Sequence, residues 1–299
     1  MKQQIKSSLI LLLTATIWGV AFVAQSVGME YIGPFTFNAI RCVLGGLVLI
    51  PVILVLKKKK ETGAENQEKE DKKTLWTGGI ACGVILCIAS NLQQFGIMEA
   101  SVGKSGFFTA LYIVMIPVIG IFIGKRPGIR LWFCVALAVV GMYLLCMKDG
   151  SFTIERADIM LLLCALAFSF HILVVDYFLP KVDGVKMSCI QFFVCGVLSA
   201  VGMLFTETPD ISNIQAAWLP LLYAGLLSCG VGYTLQIVGQ KGINPVIASL
   251  ILSLESVISA LAGWVILGQV LSPKEILGCV LMFVAIIITQ IPIGNKKTD

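Results

Sequence analysis

The feature that most limits what this chain can become is its division into ten long, uninterrupted apolar runs. A helix crossing a hydrocarbon layer roughly 30 Å thick needs about 20 apolar residues at about 1.5 Å each. Runs of that order lie near 8–28, 34–56, 75–97, 104–124, 130–147, 157–178, 187–205, 218–240, 245–267 and 274–292. They are continuous and lack period-two alternation, which predicts helices and not barrel strands. The expected fold is an all-α membrane protein of ten transmembrane helices. The first run lacks a small-residue cleavage site and has nine more behind it, so it reads as a span and not as a signal peptide.

Composition sharpens the same point. Of the 299 residues, 58% are hydrophobic and 13% charged, against about 25% charged in soluble domains. Such a chain cannot clothe a soluble surface, and its charges crowd into Lys57–Lys73. That excludes a soluble enzyme, a disordered protein and a nucleic-acid binder with a basic groove. The 57–73 segment is expected to be a mobile cytoplasmic loop outside any transport path. Lys and Arg fall 17 to four on one side of the spans, with Arg41 left inside one. The positive-inside rule then predicts cytoplasmic termini at both ends of a multi-pass protein of the inner or plasma membrane.

The ten cysteines all lie inside apolar spans and form no C-x-x-C, so they read as small hydrophobes. No metal and no cofactor is expected. A P-loop, H-E-x-x-H, G-x-S-x-G and paired aspartates are all missing, so the chain is read as neither an ATPase nor an enzyme.

The sequence also repeats itself. A shift of 150 places Leu11-Leu12-Leu13 on Leu161-Leu162-Leu163, Trp18 on Phe168, Arg41 on Gln191 and Gly46 on Gly196. A shift of 143 places Leu92-Gln93-x-x-Gly96 on Leu235-Gln236-x-x-Gly239. The expected halves are residues 1–147 and 148–299, five spans each. Five is odd, so the second half enters the bilayer from the opposite side, the inverted-repeat plan of many secondary transporters.

Ionisable groups in hydrocarbon cost on the order of 2.5–3.5 kcal/mol on insertion scales and therefore face a partner or a wet cavity. Arg41, His171, Asp176 and Glu255 are such groups. Glu255, near the midplane of its span, reads as a proton site, as a site for a substrate ammonium, or as a structural acid bonded to neighbouring helices. Arg41 could hold a substrate carboxylate or anchor packing. His171 could relay protons or satisfy one local hydrogen bond. Asp176 sits close enough to a span end to reach water.

Other polar residues recur at helical spacing: Trp18, Phe22 and Gln25; Ser105, Thr109 and Tyr112; Tyr233, Gln236 and Gln240; Glu255 and Ser259. Several helices with one polar-aromatic stripe each predict a central cavity, although interhelical hydrogen bonding uses the same residues. The cavity candidates are Trp18, Phe22, Gln25, Arg41, Gln93, Tyr112, His171, Gln191, Tyr233, Gln236 and Glu255. Gly79 with Gly83, and Gly120 with Gly124, read as close-packing positions, and Pro117 as a kink.

These segments resemble a known family. LLTATIWGVAFVAQ and GPFTFNAIR, GKSGFFTALYIVMIPVIG with GKRP, and ASLILSLESVISALAGWVILGQVLSPKEILG are similar to EamA-type transporters of the drug/metabolite transporter superfamily. The resemblance covers nearly the whole chain in two EamA-like units. It implies the ten-helix inverted fold and a role in exporting small metabolites. Trp18, Gly19, Pro34, Arg41, Pro117, Pro245 and Glu255 stand where the family pattern has such residues. Two departures are Gln269 in place of the family's acid and Ser256 in place of its proline.

The resulting expectation is a secondary transporter exporting small organic metabolites, amino acids or related compounds among them, by alternating access. Glu255 is the proton-coupling candidate. Its partners would be a small-molecule substrate and the lipid bilayer, with no nucleic acid; a homodimer is left open. A passive channel and a non-transporting membrane subunit are the rival readings.

Overall fold

The computed structural model describes residues 2–62, 71–100, 102–124, 127–146, 155–268 and 272–290. Within them the chain is helical and contains no strand. The elements are α1 (Lys2–Gly28), α2 (Pro34–Thr62), α3 (Lys72–Glu99), α4 (Val102–Ala110), α5 (Tyr112–Phe122), α6 (Ile129–Cys146), α7 (Arg156–Phe178) and α8 (Gly184–Thr206). They continue with α9 (Ile211–Ala216), α10 (Trp218–Leu222), a π-helical segment (Tyr223–Tyr233), α11 (Thr234–Gln240), α12 (Pro245–Leu252), α13 (Glu255–Leu267) and α14 (Pro273–Gln290).

Over the described residues the expected spans fall mainly on helix. Among the described residues, eight are long and apolar enough to cross a membrane. Residues Ile129–Leu144 of α6 form a shorter apolar helix, and α14, which packs along α6, lies outside the eight. The expected loop at 57–73 is only partly that: α2 runs on to Thr62 and α3 starts at Lys72, while 63–70 lie outside the described residues.

Helix starts follow ordinary capping chemistry. Asp71 accepts from Lys73 N at 3.0 Å, Asp183 from Val185 N at 3.0 Å, and Asn244 from Val246 N at 2.9 Å just before Pro245. Left-handed Gly268 (φ 69°) ends α13 and left-handed Gly124 (φ 80°) follows α5. Gly124 is therefore a helix terminator and not the packing residue expected from its spacing to Gly120.

The exterior is apolar: Leu54 is 61% exposed, Phe133 58% and Phe205 84%. The interior holds fully buried Gln94, His171, Gln191 and Gln240. This reverses a soluble protein and suits a lipid solvent.

Packing is symmetric under exchange of the two halves. Helix α2 packs on α8, and α6 on α14. The α3–α7 contact has its counterpart in α1 against the π segment and α11, and α3–α8 in α2 against the π segment. Glycines report the same exchange. A Cβ on Gly46 would meet Phe193, and one on Gly196 would meet Val43, the residue 150 positions before Phe193. Gly83 faces Val194 and the Gln191 carbonyl, and Gly225 faces their counterparts Leu44 and the Arg41 carbonyl.

That second pair fixes a register. Gly83 and Gly225 are 142 residues apart, whereas Gln93 and Gln236 are 143 apart. The second half thus carries one extra residue between Gly225 and Gln236, and the π segment covers that interval up to Tyr233. An i→i+5 ladder is how a helix absorbs an inserted residue without breaking.

Two spans are interrupted, at Leu111 between α4 and α5 and at Ser253–Leu254 between α12 and α13. Pro117, expected to kink its span, lies six residues past the first interruption and inside α5. The interruptions occupy equivalent places, since Leu111 plus 143 is Leu254. At the second one, Ser249 and Ser253 hydroxyls donate to the carbonyls of Val246 and Leu250, each at 2.8–2.9 Å. The Leu250 carbonyl, whose usual donor Leu254 N bonds Ile251 instead, is thereby partnered inside the membrane.

Candidate substrate cavity

Where the halves meet, a cavity is lined by Trp18, Ala21, Phe22, Gln25, Arg41, Gln93, Thr109, Tyr112, Phe168, His171, Ile172, Ser228, Tyr233, Gln236 and Glu255. Its volume is about 30 Å³, room for roughly two water-sized spheres. Small-molecule sites usually offer about 300–1,000 Å³, so in this conformation the cavity is too small for a metabolite.

Of the eleven candidates read from the sequence, ten line the cavity. Gln191 does not. It lies fully buried behind the wall, where its Oε1 meets His171 Nε2 at 3.0 Å. The stripes are trimmed similarly. Ser105, Gln240 and Ser259 share helix faces with cavity residues but are not part of its lining. Gln240 instead donates to the Ile172 carbonyl at 2.8 Å, and Ser259 to the Ser256 carbonyl at 2.8 Å.

Five residues of the lining were not among the candidates: Ala21, Thr109, Phe168, Ile172 and Ser228. Repeat symmetry was the signal that could have found three of them. Trp18 pairs with Phe168, Ala21 with His171 and Phe22 with Ile172 at a shift of 150; Gln93 pairs with Gln236 and Tyr112 with Glu255 at 143. Ten of the 15 lining residues therefore form five repeat-related pairs. Ser228 carries no such mark. Five positions in a π helix bring it to the same side as Tyr233, which α-helical spacing does not.

The aromatic wall centres on Tyr233. Its ring lies 4.6 Å from Trp18, 5.6 Å from Phe192 and 6.1 Å from His171, the last two edge-on. Trp18 Nε1 reaches the Ser228 carbonyl at 3.4 Å. Gln93 Nε2 and Thr109 Oγ1 are 3.4 Å apart.

The two charged residues are held differently. Arg41, 3% exposed, donates from Nη1 to Gln25 Oε1 at 2.7 Å and lies 5.6 Å from the centre of the Phe37 ring. Gln25 is itself fixed by a 3.2 Å bond from Nε2 to the Ala21 carbonyl. Arg41 Nε has no partner, and among the described residues no carboxylate lies within ion-pair range of the guanidinium. Arginine cannot shed its proton to escape this. Glu255, 4% exposed, accepts from the Tyr112 hydroxyl at 3.0 Å. It is the first residue of α13, where the helix dipole favours negative charge.

Beside the cavity runs a second polar tie absent from the sequence candidates. Asn38 donates to Asn91 Oδ1 at 2.9 Å, and Asn91 to Ser199 Oγ at 3.0 Å. Asn38 is one helical turn before Arg41. Cys42 and Cys195 thiols meet across α2 and α8 at 3.4 Å.

A family model described as the EamA-like transporter family matches residues 5–147 and 155–291. A protein of Archaeoglobus fulgidus named only as an uncharacterized transporter is 27% identical over 94% of this chain and 84% of its own length. The uncharacterized transporter YwfM of Bacillus subtilis is 24% identical over 97% of this chain and 96% of its own. A solved crystal structure superposes with a TM-score of 0.76 over 95% of this chain and 96% of its own, at 17% identity. That last likeness concerns the fold alone.

Proposed function

The chain belongs to the EamA-like transporter family, and from that premise we propose that it exports small organic metabolites, amino acids or related compounds among them, by alternating access. In this reading it crosses the cell membrane ten times with both termini in the cytoplasm. Its halves, 1–147 and 148–299, enter the bilayer in opposite directions and rock about the cavity between them.

The observation that carries the reading is a lining built largely of repeat-related pairs, with one acidic and one basic residue set into it. A symmetric cavity at a repeat interface supplies two near-equivalent conformations, one open to each side. The present cavity, about 30 Å³, must widen roughly tenfold to admit a metabolite. The unpaired guanidinium of Arg41 suits a substrate carboxylate. The aromatic lining residues Trp18, Tyr233 and Phe168 offer the substrate's apolar body a stacking surface.

Glu255 serves as the coupling group. A carboxylate this deep is costly without a cation, and a neutral carboxylic acid is not. Proton uptake from one side and release to the other links its charge to the direction of opening. Tyr112 donates to the acid in the closed state.

Purified protein in liposomes tests the function. A screen across metabolite classes is expected to find saturable flux above empty vesicles for at least one carboxylate-bearing class. No flux for any class, or flux that never saturates, contradicts the proposal.

A further inference from the structure

The cavity lining sorts its hydrogen-bonding groups by repeat. Among the described residues, two bonds join lining residues of different repeats, and in both the first repeat donates. Trp18 Nε1 donates to the Ser228 carbonyl at 3.4 Å, and the Tyr112 hydroxyl to Glu255 Oε1 at 3.0 Å. The groups left over follow the same division. Arg41 Nε, in the first repeat, is a buried donor with no partner among the described residues. His171 Nδ1 and Gln236 Oε1, in the second repeat, are buried with no partner there either. All three residues line the cavity, and a buried polar atom left unpaired carries a desolvation cost that a bound ligand can relieve.

Both groups of the second repeat are set as acceptors by residues outside the lining. Gln240 Nε2 donates to the Ile172 carbonyl at 2.8 Å, which leaves Gln240 Oε1 to accept from Gln236 Nε2 at 3.5 Å. The Gln236 amide is therefore turned with its oxygen free. Gln191 Oε1 can only accept, so His171 Nε2 donates to it at 3.0 Å. In the neutral ring Nδ1 is then an acceptor. The division arises where the repeats differ in chemistry. Arg41 stands against Gln191, and His171 against Ala21, which has no side-chain acceptor.

We propose that Gln236 and His171 are specificity-determining residues that read a hydrogen-bond donor on the substrate, with Gln240 and Gln191 as the positioning residues behind them. The matching ligand is a small acid with an amino or hydroxyl group next to its carboxylate. Its carboxylate meets Arg41 of one repeat, and its N–H or O–H meets the acceptors of the other. The inference rests on the transport reading above and adds which end of the substrate each repeat recognises. Such a ligand continues the direction of the two bonds already present, from donors of the first repeat to acceptors of the second. An acid without the donor leaves two buried acceptors unpaired, and that loss discriminates more sharply than a change in its hydrocarbon does.

Thermal-shift titration of the purified full-length chain with matched acids tests this. The probes are propionate, lactate and alanine, and their phenyl-bearing equivalents phenylpropionate, phenyllactate and phenylalanine. In at least one series the wild type should bind the hydroxy or amino acid roughly tenfold more tightly than the bare acid, or better. Gln236→Met and His171→Phe each remove one acceptor at similar volume. Each should cut that preference about fivefold by weakening the donor-bearing acid, with the bare acid held within about twofold. Gln240→Met and Gln191→Met should shift the preference the same way, whereas a role in packing alone weakens every acid alike. Ligand-free melting shows which variants fold, and either acceptor variant that does decides the matter. Equal affinity across both series in the wild type, uniform loss in a folded variant, or no shift with any of these acids overturns the inference. Saturable flux without the preference removes this inference and leaves the transport reading standing; the preference without flux does the reverse.

Discussion

The hydroxyl of Tyr112 donates to Glu255 Oε1 at 3.0 Å across 143 residues of sequence, the same interval that relates the two repeats in this region. Each residue is the first of a helix resuming after an interruption, α5 for one and α13 for the other. The bond therefore joins equivalent points of the two halves and crosses the pseudo-twofold axis. A contact between equivalent points of the two halves is strained by any movement of one against the other, and the proposed coupling of charge to conformation rests on this pair.

If Glu255 couples a proton, Glu255→Gln abolishes uphill transport driven by a pH gradient and leaves substrate exchange running. Counterflow and gradient-driven uptake in liposomes separate the two. Uphill transport at the wild-type rate is the contrary result. Tyr112→Phe, which removes one hydrogen bond to a charged or acidic group, should cost roughly 1.5–3 kcal/mol at that contact and slow coupled uptake without ending exchange.

Arg41 lines the cavity whereas its repeat partner Gln191 does not. Arg41→Gln gives the two repeats the same residue at this position and removes the only cation lining the cavity among the described residues. Apparent affinity for a carboxylate-bearing substrate should fall at least about tenfold, the loss of one charge-assisted hydrogen bond. Uncharged substrates should be affected far less. Thermal-shift titrations on both variants read this directly, and equal loss for both substrate types counts against the assignment.

Gly83 and Gly225 give a test of the symmetry itself. Each faces a side chain and a carbonyl of the other half with no room for a Cβ. Gly83→Val and Gly225→Val should each destabilise by about 1–3 kcal/mol through overpacking and by similar amounts as a pair. A melting temperature lowered by one substitution and untouched by the other contradicts the equivalence.

The π segment predicts an unusual deletion tolerance. Removing Leu227, which is 44% exposed to the surrounding lipid, takes out the extra residue of the second half and permits an ordinary α ladder. The protein should fold and keep its helical content by circular dichroism. Transport should disappear, because Ser228 and Tyr233 then leave their common side. Full transport in the deletion variant refutes the role given to the inserted residue.

The parts of the structure that could be read from sequence share one cause. Apolar runs and their polar exceptions are enforced by lipid at every position, so the spans and residues such as Arg41, Gln93 and Glu255 stood out. Repeat partners stood out where both members were polar, as Gln93 and Gln236 are. Ala21 and Ile172 could not be recognised alone, since nothing in their chemistry separates a cavity wall from a core. The interruption at Leu111 was masked by Pro117, whose effect on a helix is the stronger prior, although the break sits six residues earlier. Glu207 went unnoticed because it lies in a polar turn, where a carboxylate is ordinary; only its bonds to Phe35 N and Thr36 N reveal it as the cap of α2. The π segment was hidden by a one-residue change of register that no gapless shift displays.

The central claim is reciprocal motion of two inverted halves, and paired distances measure it most directly. Spectroscopic labels carried by noncanonical residues at Tyr31 and Ile211 report one face, and labels at Trp76 and Tyr177 the other, all four being exposed. When the protein in lipid is cycled between acid and neutral pH with a transported solute, one distance should lengthen by several ångströms while the other shortens. Distances that stay fixed, or that lengthen together, contradict the account.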